Sequence, residues 1–530
     1  MQKQTHEKLG EVLVNNRIVT PEDMAIVLAD QLGVDFIDLN KVNIAQDLSA
    51  FVPRNTARQN HLVPVQKQDD SLYVAMDDPL NYYAIDEIRK VTKLRIVPMI
   101  ATKEAVEHAI KFLYGNEGAK QAIAEIQADN AESGSLRDTS SGFDYVISST
   151  DITGDKDSAP TIRLVNSVIE RAALERASDI HFEPRETEMD VRMRIDGIMR
   201  DVLKIPKDIM ASVIARLKTM SGMDVAERRI PQDGRFAVSV AGLSIDMRVS
   251  TLPIAWGEKV VCRLLDKSNT NIGKEALGMT AEDLAKYDRL IHYHNGVLLL
   301  VGPTGSGKTT TMYAMLGELN TRDINLVTLE DPIEYNIDGI NQVQINPKTN
   351  MTFANGLRAI LRQDPDIVSV GEIRDGETAE ICMRAALTGR FVLSTIHTND
   401  SIGAIERLED IGVEPYLVAS TLRGVISQRL VRRICPYCGE EYHPRRDEQE
   451  RLGLEFDPDR IFRFGKGCQH CYETGYSGRI AIFEILQMTP DIRELVYRNK
   501  GRAAIEKALA EKDSGFVSLA QNALRLVFEG

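Results

Sequence analysis

The sequence predicts an α/β protein of several domains. Its 530 residues exceed the size at which one hydrophobic core stops growing, so two to four domains are expected. Between 159 and about 267, "DVRMRIDGIMRDV" and "RFAVSVAGLSIDMRVST" alternate apolar and polar residues, as half-buried strands do. Beyond about 275 the pattern becomes an apolar strand, a glycine-rich turn and a helix-forming run, as in a parallel sheet with crossover helices.

From the amino terminus, residues 1–114 read as a small module. Thr20-Pro21 supplies an N-cap and a first-turn proline for a helix through Gln31. "SLYVAMDDP" is a short strand ending in a turn, and "TKEAVEHAIKFLYG" is a helix with Gly115 just past its end. Leu9, Leu13, Val14, Ile18, Met24, Val27 and Leu28 recur at helical spacing and are read as a packed core. Residues 115–158, rich in Ala, Ser, Gly, Asp and Asn, are expected to be a flexible linker holding a short helix in "AKQAIAEIQA". The middle domain, 159–270, opens on a helix with Ile162, Val165 and Ile169 on one face. It continues through the extended "DIHFEP" to a hairpin turned at Asp196-Gly197. Residues 271–530 form the last domain, mainly helical after about 400 and interrupted by a cysteine segment at 432–480.

Composition narrows the function. With 43% hydrophobic and 27% charged residues the chain reads as an ordinary globular protein. A net charge of −14 argues against a large electrostatic footprint on nucleic acid, which needs clustered Lys and Arg. No apolar stretch approaches the ~18 residues of a membrane span, and "MQKQTHEKLG" lacks an apolar signal core, so a cytoplasmic location is expected.

The chemistry centres on "GVLLLVGPTGSGKTTTMYAML". Gly302, Pro303, Thr304, Gly305, Ser306, Gly307, Lys308, Thr309 and Thr310 form a phosphate-binding loop between an apolar strand at 297–301 and a helix-forming run. The loop amides would cradle the phosphates of ATP, Lys308 would reach the β and γ phosphates, and Thr309 would ligate Mg²⁺. In "TLEDPIEY" a strand runs into Glu330, Asp331 and Glu334, carboxylates suited to water activation or metal work; a solvated acidic turn is the alternative. In "DIVSVGEIRD" the aspartate precedes the apolar run, which ends in Gly371-Glu372, and places Glu372 at the carboxyl end of the sheet. "FVLSTIHTND" delivers His397 in the same way, as a sensor of the γ-phosphate or a structural histidine.

In this order, "PQDGRF", "GPTGSGKT", "EDPIEY", "GEIRD" and "STIHTN" resemble the secretion ATPase superfamily, whose members power type II secretion and type IV pilus assembly. The resemblance implies a RecA-like P-loop domain. A mixed α/β, PAS-like middle domain and a small α/β N-terminal domain would precede it. It makes Glu330 and Glu334 members of an acidic box, Glu372 the Walker B glutamate that polarises the attacking water, and His397 the histidine box. "PQDGRF" and "IDMRVS" match segments that donate arginines from the middle domain, which nominates Arg235 and Arg248. Arg248 alternates with Met247 and Val249 and should leave the apolar face; a cross-strand salt bridge is its other reading, as for Arg235. The resemblance further implies a homohexamer, peripheral to the inner membrane through a platform protein and docking partners.

Cys435, Cys438, Cys468 and Cys471 form two C-x-x-C turns separated by 29 residues, a spacing for structural Zn²⁺, with a redox dithiol as alternative. Cys262 and Cys382 stand alone in apolar patterns. "KLGEVLVNNRIVTPEDMAIVLADQ" resembles a segment that binds cyclic di-GMP in some relatives. Lys8 replaces the pattern's arginine, Arg17 replaces a glycine, and no second copy follows Gln31, so this ligand is disfavoured. Two other classes of function stay open at this point, a nucleic-acid translocase on a RecA-like core and a cyclic di-GMP-responsive signalling module. The translocase would need a basic stripe with stacking aromatics, and the sequence shows none.

Overall fold

The alternation read between 188 and 254 is realised as a twisted antiparallel sheet, and the apolar runs beyond 296 as a parallel one. The computed structural model describes residues 18–42, 44–115, 117–132, 144–147, 160–240, 243–266, 272–511 and 515–530. Leu9, Leu13, Val14, Lys8 and Arg17 lie outside them. The chain divides into two units. The first is Met1–Ser268 with Ile434–Glu441 and Phe464–Ser477; the second is Asn269–Arg433, Tyr442–Arg463 and Gly478–Gly530. The two cysteine segments, expected within 271–530, therefore pack with the first unit.

In the first unit, a three-stranded sheet joins β1 (Leu62–Gln68) antiparallel to β2 (Ser71–Met76), and β2 parallel to β3 (Arg95–Ile100). Helix α1 (Pro21–Leu32) starts where the sequence places it, with the Thr20 hydroxyl accepting the Asp23 amide. Its buried stripe differs from the expected one. Ala25 and Ala29 pack against Ile100, whereas Ile18, Val27 and Leu28 are exposed. The small alanines let this helix approach the end of β3 closely, and that sets its rotation. Helix α2 (Lys103–Tyr114) buries Val106, Ala109, Ile110 and Leu113, and the Tyr114 hydroxyl donates to the Val52 carbonyl at 2.8 Å.

The second sheet of this unit has the order β4-β8-β9-β10-β5-β6-β7. Its strands are β4 (Asp144–Ile147), β5 (Asp179–Pro184), β6 (Glu188–Ile195), β7 (Ile198–Pro206), β8 (Gln232–Val240), β9 (Leu243–Ile254) and β10 (Gly257–Asp266). Helices α3 (Glu117–Glu132), α4 (Pro160–Leu174) and α5 (Lys207–Met220) bury their apolar stripes in its core. Helix α3 lies in the segment expected to be a flexible linker. Ala119, Ala122 and Ile126 fall at helical spacing and are buried in that core, so residues 117–132 are a structural element. The rest of 133–158 lies outside the described residues, apart from β4, which pairs parallel with β8.

The second unit carries a seven-stranded sheet of order β13-β12-β14-β15-β11-β16-β19. These are β11 (Gly296–Val301), β12 (Leu326–Glu330), β13 (Asn341–Gln344), β14 (Ile367–Val370), β15 (Phe391–Ile396), β16 (Leu422–Ile434) and β19 (Tyr476–Gln487). The short β17 (Gly439–Tyr442) and β18 (Phe462–Gly465) flank the segment between the cysteine pairs. Strands β11, β14 and β15 are buried along their whole length, as two-sided cover by helices requires. The region past 400, expected to be mainly helical, contributes two of the longest strands, β16 and β19. In β16 Arg423, Arg429, Arg432 and Arg433 break up the apolar residues, a mixture that reads as helical until a neighbouring strand claims it. Among the described residues no helix is long and apolar enough to cross a membrane.

Among the described residues of the first unit, Lys218 and Glu258 form a buried ion pair. Lys218 on α5 is 1% exposed; its ammonium lies 2.5 Å from Glu258 on β10 and donates to the Glu227 carbonyl at 2.6 Å. That carbonyl belongs to the loop leading into β8, where Gln232 also bonds Asp224 and Glu227. Removing one partner leaves a charge stranded in a low dielectric. Glu258→Ala should therefore destabilise this unit by about 3–5 kcal/mol in denaturant unfolding. The double change Lys218→Met with Glu258→Leu should recover most of the loss.

Candidate active site

Register alone brings the expected residues to one edge. Leu329, Val370, Ser394 and Leu299 are successive cross-strand partners on β12, β14, β15 and β11, all fully buried. Glu330, Glu372, His397 and Gly302 each follow this row by one to three residues. Four carboxyl-terminal strand ends therefore converge, which is where ligands bind in sheets of this kind.

The phosphate loop leads into helix α6 (Lys308–Leu319), whose N-cap is Gly307 at φ 91° with no side-chain cap. Its first-turn amides are free to face an anion. Gly302 has φ 147°, and a Cβ there would lie 2.4 Å from the Gln428 carbonyl oxygen, so a side chain is excluded. Beneath the loop, the Thr311 hydroxyl donates to the buried Gln428 amide oxygen at 2.8 Å. The Ser306 hydroxyl is buried without a hydrogen-bond partner, as expected of a loop shaped for a ligand. Lys308 Nζ donates to the carbonyls of Gly302 and Pro303 at 2.8 and 3.0 Å. Burial lowers its pKa, opposed by the nearby Glu372 charge.

A cleft of about 440 Å³ opens above the loop, lined by Thr304 to Thr310, Glu330, Glu334, Glu372 and His397. Glu372 is held by its backbone: the Gly371 amide bonds Leu329 O at 2.8 Å and the Ile373 amide bonds Thr395 O at 2.9 Å. Arg374 donates to one carboxylate oxygen of Glu372, and the His397 Nε2 lies 3.1 Å from the other. Burial pushes the Glu372 carboxyl up, but Arg374 and then His397 outweigh it and hold the group below the ordinary glutamate range. Asp366 sits at the other end of β14, where it accepts the Asn325 amide at 2.8 Å and is remote from the row of strand ends. Sequence reasoning missed Arg374 and Tyr313. Arg374 lies inside the GEIRD motif and Tyr313 a few residues beyond the phosphate loop, but only tertiary packing shows what they touch.

The two nominated arginines lie in the first unit. Arg235 on β8 and Arg248 on β9 are direct cross-strand partners, and Arg248 is in turn opposite Arg263 on β10. Directly opposed residues share a face, and like charges so placed repel. This row of three arginines faces away from the core formed by Phe236, Met247 and Val249. Arg263 bonds Asp179 at 2.9 Å.

The four cysteine sulfurs lie within 4.8 Å of one another. Cys435–Cys468 and Cys438–Cys471 are 3.8 Å apart and Cys468–Cys471 3.7 Å. A tetrahedron of thiolates at ~2.3 Å from zinc has edges of about 3.8 Å, so the site fits that metal. The Cys471 sulfur also accepts the amides of Cys468 and Gly475 at 3.2 and 3.1 Å, bonds that favour a thiolate. Gly465 and Gly475 lie back to back, and a Cβ on Gly465 would fall 1.8 Å from the Gly475 oxygen. On the rim, His470 stacks between Tyr437 and His108 at 3.8 and 4.0 Å, and Gln469 donates to the Val42 carbonyl at 2.6 Å.

Known proteins resemble the chain over most of its length. Residues 154–530 match the family described as type II/IV secretion system protein, and residues 32–120 match the MshEN domain. The chain is 39% identical to the type IV pilus assembly ATPase PilB of Myxococcus xanthus, over 100% of this chain and 93% of that one. It is 40% identical to type II secretion system protein E of Dickeya dadantii, over 91% and 95% of the respective chains. It is 42% identical to the type II secretion system ATPase E of Vibrio cholerae, over 81% and 84%. The ATPase DotB of Legionella pneumophila shares the fold, with a TM-score of 0.50 at 22% identity over 69% of this chain and 91% of that one. With more than two thirds of its length matched by the family model and a relative spanning all of it, the chain belongs to the type II/IV secretion system protein family.

Proposed function

We propose that the chain is a motor ATPase that converts ATP hydrolysis into mechanical work for type IV pilus assembly or type II secretion. The observation that carries the reading is Glu372, fixed by backbone bonds beside the phosphate loop, with both oxygens engaged by Arg374 and His397. Loop amides and Lys308 would grip the triphosphate, and Thr309 would hold Mg²⁺, which neutralises phosphate charge when bound. Glu372 would orient and polarise the attacking water, with His397 placed to report on the γ-phosphate. Glu330 and Glu334 are assigned to the acidic box beside them.

Phosphoryl transfer gains most from charge brought to the developing transition state. Arg235, exposed, and Arg248, half-buried, stand opposite one another on that face and suit that role, because guanidinium groups gathered in register favour a polyanion. The four thiolates are assigned to structural Zn²⁺ with no open position for chemistry. A homohexamer docked on an inner-membrane platform protein, with no nucleic acid as partner, completes the reading. It rests on the relatives that are named as pilus and secretion ATPases.

Steady-state turnover with Mg²⁺ and ATP tests the assignment. Glu372→Gln should lower kcat about 10²–10⁴-fold. Lys308→Ala should weaken nucleotide binding as well, and normal rates in both would refute the reading. A second test uses pH. Arg374 and His397 together outweigh the burial of Glu372, so Arg374→Gln, which leaves burial opposed by His397 alone, should make the carboxyl titrate higher. The acid limb of the kcat profile should then move to higher pH, whereas an unmoved limb would exclude this coupling. For the cysteine site, elemental analysis of purified protein should find one zinc per chain, and Cys471→Ser should lower that occupancy.

A further inference from the structure

Helix α6 carries a second device besides the phosphate loop. Tyr313, 5% exposed and one and a half turns beyond Lys308, stacks its ring on Tyr335 at 4.3 Å and 26°. Its hydroxyl donates to Glu330 Oε2 at 2.5 Å and accepts the Glu334 amide at 3.1 Å. One phenol thus joins the phosphate-loop helix to both ends of the segment 330–334. The other oxygen of Glu330 is also occupied. Oε1 accepts from the Thr328 hydroxyl and from Gln342 Nε2, the latter at 3.0 Å from β13. Gln342 is itself fixed, because its oxygen accepts the Ile337 amide at 2.7 Å and its nitrogen also reaches the Tyr335 carbonyl at 3.2 Å.

We propose that Tyr313, backed by Gln342, is a positioning residue that ties the placement of Glu330 and of the acidic segment 330–334 to the seating of the phosphate-loop helix. The proposal rests on the ATPase reading above and assigns a regulation to that site. Three segments, α6, β12 and β13, each supply a donor to one carboxylate, so Glu330 cannot turn without breaking a bond to at least one of them. An O–H bond to a carboxylate is roughly twice as strong as a neutral one, and a half-buried network anchored on the buried Tyr313 and Thr328 restricts the geometry of Glu330. Burial, reinforced by the bond to Glu330, raises the Tyr313 phenol well above its ordinary range, so it remains a donor at working pH. A shift of α6 on nucleotide binding would therefore be transmitted to Glu330 and to the backbone of Glu334 through one oxygen atom.

Tyr313→Phe removes that oxygen and keeps the stacked ring. It should lower kcat about 10- to 100-fold, the scale of a misplaced catalytic group, while KM for ATP and affinity for a fluorescent ATP analogue stay within about twofold. In a Glu330→Gln background the same change should have almost no further effect, because both act through one carboxylate. Gln342→Leu asks the question from the other side, and its loss should likewise vanish in that background. Wild-type turnover in Tyr313→Phe, or a loss that multiplies in full with Glu330→Gln, would overturn the proposal. An inactive wild-type protein would instead overturn the ATPase reading.

Discussion

The nucleotide cleft hangs from a single constraint, the mutual register of four buried parallel strands. Leu299, Ser394, Val370 and Leu329 share one row, and each is sealed from water. A slip of one residue in any strand would turn every side chain of that strand to the opposite face, spoiling the packing on both sides, and move its terminal acid or histidine away from the others. The packing of the hydrophobic core therefore fixes which strand ends meet. Local bonds then refine the site, such as those from the Gly371 and Ile373 amides, which aim Glu372 without involving its side chain.

Polar groups in both units are arranged so that a backbone segment, as well as a charge, is held. The buried Lys218 binds Glu258 and also the carbonyl of Glu227, anchoring the loop before Arg235. Tyr313 binds Glu330 and also the amide of Glu334. The aspartate usually sought at the end of a Walker B strand is, in β14, at the beginning. Asp366 braces the Asn325 amide there, leaving the carboxyl end to the longer reach of glutamate.

Much of this was legible in the sequence, for identifiable reasons. The phosphate loop, the strand ends bearing Glu330, Glu372 and His397, and the paired cysteines are local patterns whose spacing alone implies geometry. The hairpin at Asp196-Gly197 and the start of α1 at Thr20 were readable because turns and caps are short-range. A short helix was legible at 119–128, but its packing in the core was obscured by an alanine-rich composition, which linkers share with close-packed helices. The strands β16 and β19 were obscured because charged residues interrupt their apolar runs, arginines in β16 and Glu484 in β19, and their identity is settled by the neighbours they pair with. The rotation of α1 and the partners of Tyr313 depend on contacts between distant segments, and no periodicity records those.

The contacts at the rim of the cysteine cluster join residues far apart in the chain. His470 bonds Asn40, a separation of 430 positions, and stacks on His108. Closing so long a loop costs little more entropy than closing a short one, because the penalty grows only logarithmically. The attachment is therefore governed by a few stacked rings and amide bonds, and both cores are complete without it. Such a contact can release in a subglobal opening while every sheet stays intact, which makes the seam at residues 40–42 a natural point of low protection in hydrogen exchange.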